Sequence, residues 1–164
     1  MKLYIKQKVF SLKDKFNIYD ENGETRYYVE GEIFTLGKKL HVFDRNGNEV
    51  AFIRQKVWSF LSRYFIERNG DVVATVVKQF SFKPHYEIAE LGWSVSGNFW
   101  EHDYSIEGNK GIEAVINKKW FAWGDTYEID ITYDENAVNC LCVVLIIDAV
   151  LASQAAAASS GGAN

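Results

Sequence analysis

The sequence predicts a mainly β protein, a closed twelve-stranded antiparallel β-barrel around a central hydrophobic C-terminal α-helix at about residues 137–152. Three observations carry that prediction: Asn-Gly turns at regular intervals, an aromatic residue that recurs once per hairpin, and one long apolar run, CLCVVLIIDAVLA, at residues 140–152.

The turns are Asn22-Gly23, Asn46-Gly47 and Asn69-Gly70, each between segments rich in aromatic and β-branched residues. Both residues of such a pair tolerate positive φ, so each marks a hairpin. Upstream lie related sequences with an aromatic anchor: KVFSL with Phe10, EIFTL with Phe34 and KVWSF with Trp58. Weaker copies carry Phe80 in KQFSF, Phe99 in GNFWE and Phe121 in KWFAW, so that successive anchors stand 19 to 24 residues apart. Six two-strand units follow, with strands expected at 3–10, 14–20, 26–33, 38–44, 49–58, 62–68, 72–80, 83–89, 94–98, 102–107, 112–121 and 125–133. In EVAFIRQKVW the side chains alternate between two faces, as a strand requires. Pro84 falls at the start of a short strand, where its missing donor costs little. Phe10, Phe34, Trp58, Phe80 and Phe121 are read as the repeat's packing anchors.

Twelve strands closed on themselves leave a lumen wider than their own side chains fill. A helix from Val138 to Ala152 would be about 22 Å long and would supply the missing core. As a membrane span the run is short, and Asn139 and Asp148 interrupt it. Asp148 is expected near the barrel mouth, or bonded to inward Gln, Tyr or Lys groups, in a structural role. Residues 1–152 form one domain in this reading, and 153–164, SQAAAASSGGAN, a flexible Ala/Ser/Gly tail.

The 164 residues carry a net charge of -4, with Lys and Arg spread along the chain, which argues against a nucleic-acid partner. Cys140 and Cys142, within the apolar run, are read as small core residues in a reducing compartment. The opening MKLYIKQKVF has no apolar stretch of signal-peptide length. The expected setting is the cytoplasm, with a peripheral position at the membrane, and the expected state is a monomer.

Several stretches together resemble the tubby C-terminal-like superfamily, and within it the LURP-one-related family. They are IKQKVFSLKDKFNIYDENG, AFIRQKVWSF, VVKQFSF, INKKWFAWGDTYEIDI and VVLIIDAVLA. The resemblance covers residues 1 to about 152. It implies a twelve-stranded barrel around a hydrophobic C-terminal helix. Tubby domains bind phosphoinositide headgroups, the scramblase relatives act at membranes and plant members of the branch are linked to defence. The tubby lipid site has no matching motif in this chain and is not carried over.

Catalytic chemistry is hard to place. His41, His85 and His102 fall on expected strands with no metal-ligand spacing, and in WEHD the neighbours Glu101 and Asp103 should face away from His102. Nucleophile elbows and phosphate-cradling glycine loops are absent from the sequence. No catalytic residue, metal or cofactor is assigned, and no enzyme is expected. The candidate ligand-binding residues are basic: Lys6 with Lys8, Arg54 with Lys56, Lys118 with Lys119, and Lys78. Gathered into one patch they would contact anionic phospholipid headgroups, while scattered they would only keep outward strand faces soluble. Trp120, Phe121 and Trp123 beside Lys118 and Lys119 would suit a surface that inserts into a membrane interface. The sequence therefore points to a non-enzymatic binding or scaffold domain at the surface of a membrane. The alternatives are a protein-interaction module in regulation or stress response and, behind it, an uncharacterised hydrolase.

Overall fold

A computed structural model describes residues 1–6, 15–121 and 124–161, with the backbone alone for Trp120, Phe121, Gly124 and Asp125. Twelve strands follow one another: β1 (Lys2–Lys6), β2 (Phe16–Tyr19), β3 (Thr25–Gly31), β4 (Lys39–Asp44), β5 (Glu49–Gln55), β6 (Arg63–Arg68), β7 (Asp71–Gln79), β8 (His85–Ile88), β9 (Trp93–Asn98), β10 (Asp103–Gly108), β11 (Gly111–Phe121) and β12 (Gly124–Ile131). Each pairs with its neighbours in the chain, and β1 pairs with β12 from Lys2↔Asp130 to Lys6↔Thr126, which closes the barrel.

The alternation read from the sequence sets the two faces. Every strand sends a fully buried aliphatic residue inward, from Ile5 in β1 through Ile66 in β6 to Ile129 in β12. The intervening residues face out and mix charged and polar groups with apolar ones such as Phe43, Phe52, Phe65 and Val77: Lys2 holds Glu128 at 3.2 Å, and His41 sits between Glu32 at 2.9 Å and Glu49 at 2.6 Å. A barrel that spans a bilayer needs a continuous apolar outer band, which these ion pairs interrupt.

Helix α1 (Ala137–Ser160) fills the interior. Its residues from Cys140 to Val150 are buried without a break, so the helix is apolar all round, as a core helix must be. By length and composition Asp134–Ser160 could also cross a membrane, but the barrel wall encloses its apolar part. The helix runs on past Ala152, where the sequence suggested a tail from Ser153. Alanine has the highest helix propensity, and QAAAASS holds the helix as far as Gly161, whose N–H bonds to the Ala157 carbonyl. This last third is exposed and emerges from one end of the barrel.

The Asn-Gly turns all lie at the opposite end. Asn69 and Gly70, at φ 52° and 87°, make the two-residue turn between β6 and β7. In the other two, Asp20 and Asp44 play equivalent parts. Each carboxylate accepts backbone N–H bonds from the residues two and four positions on, at 2.8 to 3.1 Å.

Candidate functional site

An up-and-down barrel has two ends, and here they differ in chemistry. The turn end is acidic on balance, with Asp20, Glu21, Glu24, Glu90, Asp134 and Glu135 in its connections and Asp44 ending β4, against Arg45 and Lys110. Among the described residues, the other end, which we call the crown, is built from loops 32–38, 56–62, 80–84 and 99–102. Those loops hold Ile33, Phe34, Leu36, Val57, Trp58, Phe60, Phe80, Phe82 and Trp100, all exposed. Apart from Val72 and Ile112, they are all the exposed large apolar side chains among the described residues.

This placement corrects the reading of the anchors. Phe34 is 100% exposed, Trp58 95% and Phe80 79%, so none of them packs in the core. The repeat does mark a structural period, but the marked position lies in the loop after each strand. Strands β3 and β5 stop at Gly31 and Gln55, short of the expected limits, and Phe34 and Trp58 take φ 59° and 61° in the loops beyond them. Of the recurring aromatics whose side chains are described, Phe99 is the one placed inside, edge-on to Tyr86 with centroids 5.1 Å apart. Phe10 and the Phe121 side chain lie outside the described residues. Sequence reasoning also missed Leu36, Phe60 and Phe82, although IFTL, VWSF and QFSF repeat an apolar residue two places after the aromatic one.

The six basic candidates among the described residues do not form a single strand-face patch. Arg54 is paired with Glu67 on the outer wall and lies over the Phe65 ring at 4.4 Å. Lys119 is held by Glu128 at 3.4 Å, in an outer-face cluster that Lys2 and Tyr4 share. Lys6 lies 5.2 Å above the Tyr19 ring, at the crown end of β1. Lys118 is the register partner of the inward Tyr127, on the opposite face from Lys119. Lys56 is exposed in loop 56–62, and Lys8 lies outside the described residues. Lys78, opposite the inward Tyr86, faces a cleft, and burial holds its ammonium below the ordinary lysine pKa.

Two clefts flank α1 where it leaves the barrel. The first, about 1010 Å³, holds basic groups in a largely apolar lining: Lys78, Lys83 and His85 stand among Pro84, Phe99 and Trp100. The second, about 800 Å³, is more apolar and lies between loop 32–38 and the helix residues Ala149, Ala152 and Ala156. Lys38 and Lys83, absent from the sequence candidates, belong to this end.

Deeper in the barrel sits Asp148, 4% exposed. Tyr127 donates its hydroxyl proton to Oδ2, and His102 Nε2 lies 3.2 Å from Oδ1. The His102 ring stacks on Tyr127 with centroids 4.3 Å apart. His102 is in a turn at φ 51° rather than on a strand, and that turn aims the ring inward. Burial raises the Asp148 carboxyl above the ordinary aspartate pKa, against the opposing pull of His102 and Tyr127. Asp148→Leu, which orphans both partners, is expected to destabilise the fold by about 2–4 kcal/mol, and Asp148→Asn, which keeps the bonds, by under about 1 kcal/mol. Urea unfolding measures both. Because the folded state holds the Asp148 proton more tightly than the unfolded chain, wild-type stability relative to Asp148→Asn should fall as pH rises above the ordinary carboxylate range.

Among the described residues, no three His, Cys, Asp or Glu side chains gather as a metal site. Cys140 and Cys142 are free and buried, and burial pushes both thiols up to about 12, so they stay protonated and unreactive.

The family model for LURP-one-related proteins matches residues 1–148. The chain belongs to the LURP-one-related family. It is 36% identical over 152 residues to "Uncharacterized protein YxjI" of Bacillus subtilis, covering 92% of this chain and 94% of that one. The fold is similar to the X-ray structure of an Arabidopsis thaliana protein, with a TM-score of 0.63 and 20% identity over 91% of this chain and 90% of that one. The two chains therefore share the barrel fold with little sequence in common.

Proposed function

We propose that this family member is a non-enzymatic binding protein that docks on anionic membrane surfaces through its crown, acting as a peripheral protein on the cytoplasmic side. The observation that carries the reading is the segregation of exposed aromatic and aliphatic side chains into the loops of one end. Solvent exposure of so many large apolar groups in one place is a liability unless something covers them. Phe34 and Trp58 add a second cost, since bulky residues at positive φ are strained. No core packing offsets that strain. Aromatic rings suit the interface between headgroups and acyl chains. Lys56 and Lys83 in the same loops, with Lys6 and Lys78 at the adjoining strand ends, supply positive charge where headgroups would lie, each worth about 1 kcal/mol near an anionic surface. The acidic turn end would face away.

Vesicle flotation tests the reading. The protein should float with vesicles of phosphatidylcholine and phosphatidylserine at low salt, float less as salt rises, and float poorly with phosphatidylcholine alone. Failure to float with the anionic vesicles at low salt would reject it.

A further inference from the structure

We propose that Asn69-Gly70, in the turn between β6 and β7, is a self-modifying site: its asparagine converts to isoaspartate and aspartate in the folded protein, ahead of the other two Asn-Gly turns. The proposal stands apart from the reading of the crown, since this turn lies at the opposite end of the barrel.

The reaction consumes only water. The deprotonated Gly70 nitrogen attacks Asn69 Cγ; the N–Cγ bond forms, the Cγ–Nδ2 bond breaks, and the amide group takes up a proton and leaves as ammonia. Water then opens the resulting five-membered imide. Cleavage of its Cγ–N bond gives aspartate in an unchanged backbone. Cleavage at the Asn69 backbone carbonyl gives isoaspartate, whose main chain runs through Cβ and Cγ. Asparagine is thermolabile by this route, and a following glycine has no Cβ to hinder the ring closure.

All three Asn-Gly pairs are exposed, so access to solvent does not rank them. The attacking nitrogen does. Gly23 N–H donates to the Asp20 carbonyl at 3.0 Å, and Gly47 N–H donates to the Asp44 carbonyl at 3.1 Å. The asparagine N–H groups in the same loops donate to the Asp20 and Asp44 carboxylates at 2.9 and 2.8 Å. An amide anion formed at Gly23 or Gly47 would therefore lose a hydrogen bond and face a carbonyl oxygen, with a carboxylate close by. Bonds from Asn48 hold the Asp44 carboxyl below the ordinary aspartate range, so that second negative charge persists beside Gly47 and opposes the ionisation.

The β6–β7 turn is built differently. The pair Arg68↔Asp71 closes it, and the Gly70 N–H donates to no described residue and is left to solvent. Arg68 and Asp71 balance each other's charge on either side. A Cβ placed on Gly70 would have no neighbour within 4 Å, so the turn has room to rotate as the ring closes. Gly23 is equally open, which leaves the hydrogen bond as the difference between those two sites. The product matters to the hairpin. Isoaspartate adds a main-chain atom to a two-residue turn that sets the register Arg68↔Asp71 and Glu67↔Val72, and so loosens the β6–β7 ladder at that end.

Incubation of the folded protein in warm, mildly alkaline buffer, followed by peptide mapping with electron-transfer fragmentation, tests the site. Asn69 should convert at least about fivefold faster than Asn22 or Asn46, the ratio set by one amide hydrogen bond. In urea, with the hydrogen bonds gone, the three rates should converge. Equal rates in the folded protein, a faster Asn22 or Asn46, or a lead for Asn69 that persists undiminished in urea would each overturn the proposal. Asn69→Gly keeps a residue suited to positive φ and lacks the amide. Its thermal midpoint should hold through the incubation while that of the wild type falls, and equal loss in both proteins would reject the turn as the site of ageing.

Discussion

A chain ended at Glu135 is expected not to fold. Such a truncation keeps all twelve strands and every backbone ladder, and removes only α1. The helix contributes an unbroken buried run from Cys140 to Val150, together with Ala137. Burial of a Val, Leu or Ile side chain is worth about 1.5–3 kcal/mol. The Val, Leu and Ile residues in that run alone therefore contribute on the order of 10–20 kcal/mol, as much as the whole net stability of a typical domain, about 5–15 kcal/mol. Collapse of the wall onto the empty axis offers no escape, because a twelve-strand circumference is fixed by its ladders. Circular dichroism and size-exclusion chromatography should show an unfolded or aggregated product. A monomer that melts cooperatively would contradict the helix-filled architecture.

The second large effect concerns binding alone. Phe34→Asn, Trp58→Asn and Phe82→Ser combined should lower affinity for anionic vesicles on the order of 10²- to 10³-fold, taking about 1–1.5 kcal/mol for each partly inserted ring. Asparagine is chosen at the two positive-φ positions because it tolerates that conformation. All three side chains are exposed, so thermal stability should stay level or rise, which separates this effect from unfolding. Unchanged vesicle affinity in the triple variant would remove the crown from the docking surface.

The architecture was legible because its signals are local. Asn69-Gly70 can adopt the turn it makes with almost any neighbours, and the alternation in EVAFIRQ sets two faces without help from distant residues. The run from Cys140 to Val150 is apolar on all sides and therefore internal. The surface was legible only in part. The sequence located a recurring aromatic position but not its side of the loop, because a strand continued to Phe34 and a strand that stops at Gly31, ahead of a left-handed Phe34, look alike in composition. Basic residues two apart were visible, but their partners were not: Glu67 stands 13 residues from Arg54 and Glu128 stands 9 from Lys119, and only the pairing of strands brings each acid across. Asp148 was recognisable as needing a partner. His102 as one of those partners was not, since it comes from a turn 46 residues away that looked like strand.

Position along the chain gives α1 one more consequence. Synthesis runs from the amino end, so all six hairpins leave the ribosome before the axis they surround. Each hairpin forms from near neighbours, but the β1–β12 seam joins residues more than a hundred positions apart and must wait. Until Val150 emerges, a dozen half-apolar strands have nothing to close on. A nascent chain at that stage should be a good client for holding chaperones, and ribosome stalling ahead of the helix should be the point at which it aggregates most readily.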